Sequence, residues 1–200
     1  TIYPLVTGVQ TCALPISSGV AIDEVDAVRK HLADVSGGRL ARAARAGRIE
    51  LLVVSDVPGD RLDVIGSGPC SPDPSRYADA LAVVARRGLR ERIPRRALAS
   101  LEAGTRGERP ESPKPGDPTF ERVRATVLAS NATALAAARD EARRRGLRAL
   151  LLPGALRGEA REIGRRLAAL GRALRPPEPL VLLAGGETTV TLRGAGCGGR

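Results

Sequence analysis

The spacing of apolar and polar residues predicts helices and short strands in alternation along most of the chain. In residues 22–35, IDEVDAVRKHLADV, Val25, Val28, Leu32 and Val35 recur at i, i+3, i+7 and i+10. That spacing puts them on one face of an amphipathic helix, with acids early and Arg29, Lys30 and His31 late, as the helix dipole favours. Gly37 and Gly38 stop it, and RLARAARA starts a second helix. IELLVVS at 49–55 is a short apolar, β-branched run bounded by polar turn residues, the pattern of a buried parallel strand. A loop rich in Pro, Gly, Asp and Ser follows from Asp56 to Ser75. Helices are expected at 75–87 and 94–103, and the Pro/Gly/charge stretch 104–118 reads as an exposed excursion.

From residue 122 the pattern reads strand (122–129), helix (131–145, ended by Gly146), strand (147–152), helix (about 158–174). PPEP at 176–179 breaks that helix, LVLLAGG forms another apolar strand running into a glycine turn, and ETTVTL at 187–192 is strand-like. Strands alternating with helices of this length make βαβ units, hence an α/β fold with a mostly parallel sheet.

Composition adds a basic bias. The 200 residues are 42% hydrophobic and 27% charged, as expected of a packed globular chain, with a formal charge of +10 and only 2% aromatics. Lys30 and Lys114 are the only lysines, so the excess is arginine. Such a charge raises a polyanion partner as one reading. Solvated arginine-rich helix faces, with acid partners such as Glu141 to Arg145, are the other. A nucleic-acid binder lacks the aromatic stacking platform that single-strand binders use. Cys12, Cys70 and Cys197 form no CxxC pair, which argues against a disulfide framework or zinc knuckle and for a reducing, cytoplasmic setting. No apolar run reaches the length of a membrane helix. Residues 1–16 resemble translated sequencing-adapter sequence and are set aside from fold expectations.

In a parallel α/β sheet, ligands bind beyond the carboxyl ends of strands. Two loops qualify. After LLVV come Ser55, Asp56 and Asp60 in SDVPGD, then Gly66, Ser67 and Gly68. An Asp at a strand end can hold a metal-bound phosphate or take a hydroxyl proton, and a Gly-Ser-Gly segment lets backbone N–H groups approach an anion. The plainer reading is a capped loop with turn glycines. After LVLLA come Gly185, Gly186, Glu187 and Thr188, then a glycine-rich segment ending at Arg200. This suits phosphate handling, or else a hairpin with a flexible linker. Neither a GxxxxGK[ST] loop nor a GxGxxG fingerprint after a first strand is present. His31, the only histidine, reads as a packed or surface helix residue rather than a general base.

Five collinear blocks resemble the glycerate 2-kinase family: VDAVRKHL…GGRLARAA, LLVVSDVPGDRLDVIGSGPCSPDPSRYADALAVVARRGL, KPGDPTF…SN, RGEAREIGRRLAALGR and LLAGGETTVTLRGAGCGGR. The resemblance implies a Rossmann-like three-layer α/β/α first domain, here residues 17–175 as its later part, and the start of a second α/β (MOFRL) domain at 178–200. It implies ATP- and Mg²⁺-dependent phosphorylation of D-glycerate to 2-phosphoglycerate, with this chain inactive alone. No nucleic-acid or membrane partner is implied. Arg200 falls on the family's cleft arginine, expected to stabilise charge on the transferring phosphoryl group. Asp56 and Asp60 are the expected catalytic partners. Ser55, Gly37, Gly38, Ser67, Gly68, Gly185, Gly186, Glu187 and Thr188 are the expected substrate- or phosphate-binding residues, with metal ligands unassigned. Neither Lys30 nor Lys114 falls on the family's cleft lysine. Ser36 stands where members commonly carry Lys, Gly66 where they carry Ala, and Cys70 where they carry Thr. The alternative function is a hydroxypyruvate reductase-type oxidoreductase, a name attached to relatives, or an Arg-rich nucleic-acid-binding protein.

Overall fold

The computed structural model describes residues 22–174 and 177–191. The chain divides into two compact units: residues 1–52 with 61–126, and residues 53–60 with 127–200. The elements in order are α1 (Ile22–Leu32), α2 (Arg39–Ala43), β1 (Ile49–Val54), a 3-10 turn (Ile65–Ser67), α3 (Tyr77–Arg86) and α4 (Arg95–Thr105). A second 3-10 turn (Pro118–Arg122), β2 (Val123–Ala129), α5 (Asn131–Arg144), β3 (Arg148–Leu151), α6 (Ala160–Leu174) and β4 (Leu180–Leu183) follow. The fold is mixed α/β with parallel strands.

The core of the first unit is helical. Val28 of α1, Tyr77, Ala80, Val83 and Val84 of α3, and Ala97 and Leu101 of α4 pack together with Leu89 and Ile93. The apolar stripe of α3 recurs at i, i+3, i+6 and i+7, so one face is buried. Gly104 of α4 lies on the Tyr77 ring, and a Cβ there would overlap it. Close approach of the helix backbone to an aromatic face is why glycine stands inside a helix that otherwise disfavours it. Two expectations change in this unit. The α1 helix ends at Leu32 and leaves Val35 outside and exposed. The stretch read as an exposed excursion is partly interior, since Ser112 and Pro113 are among the most buried side chains. Ser112 is buried because its hydroxyl has an acceptor inside, Asp73 Oδ2 at 2.8 Å, which hydropathy alone does not reveal.

In the second unit β3 and β4 pair in parallel, Arg148 opposite Leu180 through Leu151 opposite Leu183. Helix α5 packs on this pair. Strands β1 and β2 form a separate two-stranded sheet. β1 is not buried on both faces as its apolar run suggested: Val53 is buried, whereas Leu52 and Val54 are exposed. The expected strand ETTVTL is not a strand over its described residues. It makes one parallel bridge, Thr189 to Glu159, and Gly186 just before it makes another to Leu156, because the opposite segment turns into α6 at Ala160. No described helix is long and apolar enough to cross a membrane.

Candidate functional site

In the second unit the carboxyl ends of β1 and β2 lie side by side: the Ser55 N–H donates to the Ala129 carbonyl at 2.8 Å. Ser55 is buried, and its hydroxyl donates to the Val57 carbonyl at 3.3 Å. Asp56 is exposed, and Asp60 holds a left-handed φ of 51°. Neither side-chain carboxylate has a hydrogen-bond or ion-pair partner among the described residues, so both are open to a ligand. Ser130 caps α5 by accepting the Thr133 N–H. Asn131 opens the helix with its side chain against Gly185, where a Cβ would fall on the Asn131 amide. The Gly185 carbonyl accepts the Leu156 N–H at 2.8 Å, and Gly186, at φ 143°, meets the Leu156 backbone with no room for a side chain. Ser55, Ser130, Asn131, Gly185 and Gly186 therefore gather at the carboxyl ends of β1, β2 and β4, with exposed Glu187 and half-buried Thr188 next in the chain. Asn131 is expected as a helix start and closes one of the blocks that carry the resemblance, with no role assigned to it. The signal that could have found it is its place directly after a strand, at the position where α/β sheets bind ligands.

The first unit brings together the other expected binding residues. The Gly37 N–H donates to the Ser67 carbonyl at 2.9 Å, and the Gly38 N–H to the Gly68 carbonyl at 2.7 Å. These two amides are thereby engaged with the chain itself. Gly66, Ser67 and Gly68 have φ of 58°, 60° and 61°, a run that only glycine adopts freely. At Gly68 a Cβ would come within 2.9 Å of the Asp63 carbonyl oxygen, and at Gly38 within 2.7 Å of the Phe120 ring. Arg200 lies outside the described residues.

Beside this loop is a buried ionic network that the sequence did not announce. Lys30 Nζ lies 3.6 Å from Asp73 and 3.9 Å from Asp63. His31 Nδ1 meets the Ala27 carbonyl at 2.7 Å, while Nε2 faces Glu111 at 3.2 Å and Asp73 at 3.8 Å. Both ring nitrogens thus face acceptors, and the ring stands edge-on to Tyr77 at 4.6 Å. Glu111 accepts the Tyr77 N–H at 3.1 Å, anchoring the start of α3 from 34 residues away, and pairs with Lys114. Burial pushes the Asp73 carboxyl up, but the hydroxyls of Ser75 and Ser112 and the Lys30 ammonium outweigh it, leaving the group below its ordinary value. Glu111 is lowered likewise, burial being outweighed by the Tyr77 N–H, Lys114 and His31. No buried side-chain nitrogen or oxygen among the described residues lacks a partner. A network so fully satisfied is a structural clamp in the first unit, and it occupies Lys30, His31 and Lys114.

The family described as a domain of unknown function (DUF4147) matches residues 8–102. A protein of Agrobacterium vitis bearing the provisional name hydroxypyruvate reductase is 42% identical over 88% of this chain and 39% of its own length. A Pyrococcus horikoshii protein named glycerate 2-kinase is 37% identical over 93% of this chain and 42% of its own. The crystal structure of a Thermotoga maritima glycerate kinase superposes with a TM-score of 0.71 at 34% identity, covering 94% of this chain and 44% of that one. The chain thus spans about two fifths of the length of the curated relatives it matches. Over most of its length the chain is thus homologous to proteins named glycerate 2-kinase, and residues 8–102 match the DUF4147 domain.

Proposed function

We propose that the protein to which this chain belongs transfers the γ-phosphoryl group of ATP to the 2-hydroxyl of D-glycerate. The observation that supports this reading is the gathering of Ser55, Asn131 and the Gly185-Gly186 turn at the carboxyl ends of strands, with the carboxylates of Asp56 and Asp60 in the loop that follows Ser55. Phosphoryl transfer needs little covalent help; positioning and charge stabilisation do the work. Mg²⁺ takes one or two carboxylates and completes its shell with phosphate oxygens and water. Asp56 and Asp60 meet that donor chemistry, although the described residues hold no group of three or more metal-ligating side chains. Bound there, the metal would neutralise charge on the nucleotide phosphates. On this reading Asp56 orients the acceptor hydroxyl and receives its proton, while Asp60 holds the metal side of the nucleotide. Gly185 and Gly186 leave the backbone bare for close approach of a phosphate, and Glu187 and Thr188 line the same turn. The family resemblance also implies substrate contacts at Ser67 and Gly68 of the first unit, which Gly37 and Gly38 steady. Arg200 stabilises the developing charge on the phosphoryl group as a forked donor. Residues 17–175 then belong to a Rossmann-like first domain, and 178–200 open a second one, the MOFRL domain.

The test is expression of the complete reading frame that encodes this chain, followed by measurement of ADP release with D-glycerate and Mg²⁺. Parent protein turns over, and Asp56→Asn, which keeps size and loses the proton acceptor, lowers kcat by roughly 10²–10⁴-fold, the span of general base catalysis. Full activity in Asp56→Asn would remove the assigned base. NAD(P)H oxidation with hydroxypyruvate, in place of ADP release, would favour the oxidoreductase reading.

A further inference from the structure

Ser67 is a non-glycine residue held at φ 60°, between two glycines that share its left-handed conformation. Such a residue costs of order 1 kcal/mol or more and persists only where its surroundings over-determine it. The surroundings are visible. Its hydroxyl donates to Asp26 Oδ1 at 2.9 Å. Asp26 is itself buried in α1 and forms an ion pair with Arg29 at 3.7 Å on the same helix, with the charges of Lys30 and Asp23 also acting on it. The Ser67 carbonyl accepts the Gly37 N–H, and Gly68 is wedged against the Asp63 backbone. The loop is therefore fixed on three sides, and the only side-chain hydrogen bond that Ser67 makes among the described residues is the one it donates to Asp26.

We propose that Asp26 is a positioning residue, locking Ser67 in its left-handed conformation so that the Gly66–Gly68 loop presents its substrate contacts ready-made. This rests on the kinase reading above, in which that loop touches D-glycerate. A buried helix carboxylate is costly unless hydrogen-bonded, and the bond of Asp26 goes to the one non-glycine residue of the left-handed loop. Burial holds the Asp26 carboxyl above its ordinary range, with the Ser67 hydroxyl and Lys30 offsetting only part of that rise. The bond needs an acceptor oxygen rather than a full charge, so an amide serves in its place.

The experiment uses protein from the complete reading frame. Asp26→Ala is expected to raise KM for D-glycerate about tenfold while kcat stays within about twofold, as for loss of binding shared by ground and transition states. Asp26→Asn, which keeps the acceptor, restores the parental KM. Ser67→Ala, which removes the donor without touching the helix, is expected to speed amide exchange at Gly37 and Gly38 as Asp26→Ala does, and the double variant is no faster than either single. A merely structural role would lower the active fraction and leave KM unchanged, and that outcome overturns the proposal. Amide exchange at Gly37 and Gly38 supplies a second readout independent of activity: Asp26→Ala speeds it at least tenfold, and Asp26→Asn does not. Unchanged exchange in Asp26→Ala also overturns the lock. If the parent protein exchanges as predicted but phosphorylates nothing, the kinase reading fails while the lock stands.

Discussion

At the scale of single residues, charge is managed by pairing. Asp117 accepts from Thr119 and from Arg42 at 2.7 Å, and its carboxyl is lowered to about 2 by the Thr119 side chain and backbone and then by Arg42. A carboxyl whose value is depressed on folding stabilises the fold above its unfolded value and loses that stabilisation as pH falls through the folded one. Asp63, Asp73 and Glu111 are depressed as well, whereas Asp26 is raised and acts in the opposite direction. The melting temperature should therefore fall as pH drops from about 4 to about 2, and Asp117→Asn should flatten part of that slope. An identical acid profile in Asp117→Asn would show that the Thr119 and Arg42 contacts carry no net stabilisation. The same pairing disposes of much of the arginine excess: Arg61, Arg86, Arg87, Arg106, Arg139 and Arg145 all meet carboxylates on the surface. Exposed pairs of this kind contribute little stability each, but they give the arginines a use other than gripping a polyanion.

At the scale of elements, periodicity placed the helices and strands well where a local cause set the boundary. Ser130 ends β2 and starts α5 because its hydroxyl replaces a missing helix acceptor for the Thr133 N–H. Ser130→Ala should cost about 0.5–1 kcal/mol in denaturant unfolding, and Ser130→Asp should recover it. An unchanged midpoint in Ser130→Ala would mean that α5 is held by packing alone. Where the cause is distant, sequence spacing fails. Glu111 anchors α3, Ser112 satisfies Asp73, and Gly104 makes room for Tyr77, each across 27 or more residues. Nothing in the local run of Pro, Gly and charge distinguishes these from solvated loop residues. The apolar strand runs misled in the other direction. Leu52 and Val54 look like interior positions, yet each described sheet has two strands and leaves them exposed.

At the scale of the whole molecule, the site was legible in part because strand ends are legible. Ser55, Asp56, Gly185 and Gly186 follow apolar runs, and the second unit does collect them at strand carboxyl ends. Asn131 escaped notice because its contact with Gly185 joins segments 54 residues apart, which no spacing rule connects. The pairing of Gly37 and Gly38 with Ser67 and Gly68 was equally invisible, although the resemblance implies a binding role for all four and three of them have a glycine's backbone freedom. That freedom is used first to fold the loop. The central claim is the reaction, and it is tested most directly by following ³¹P signals during turnover of the complete protein with ATP, Mg²⁺ and D-glycerate. The account predicts that 2-phosphoglycerate and ADP appear in equal amounts and that neither forms without D-glycerate. Formation of 3-phosphoglycerate, or ATP left intact under conditions where the Thermotoga maritima enzyme turns over, would contradict it.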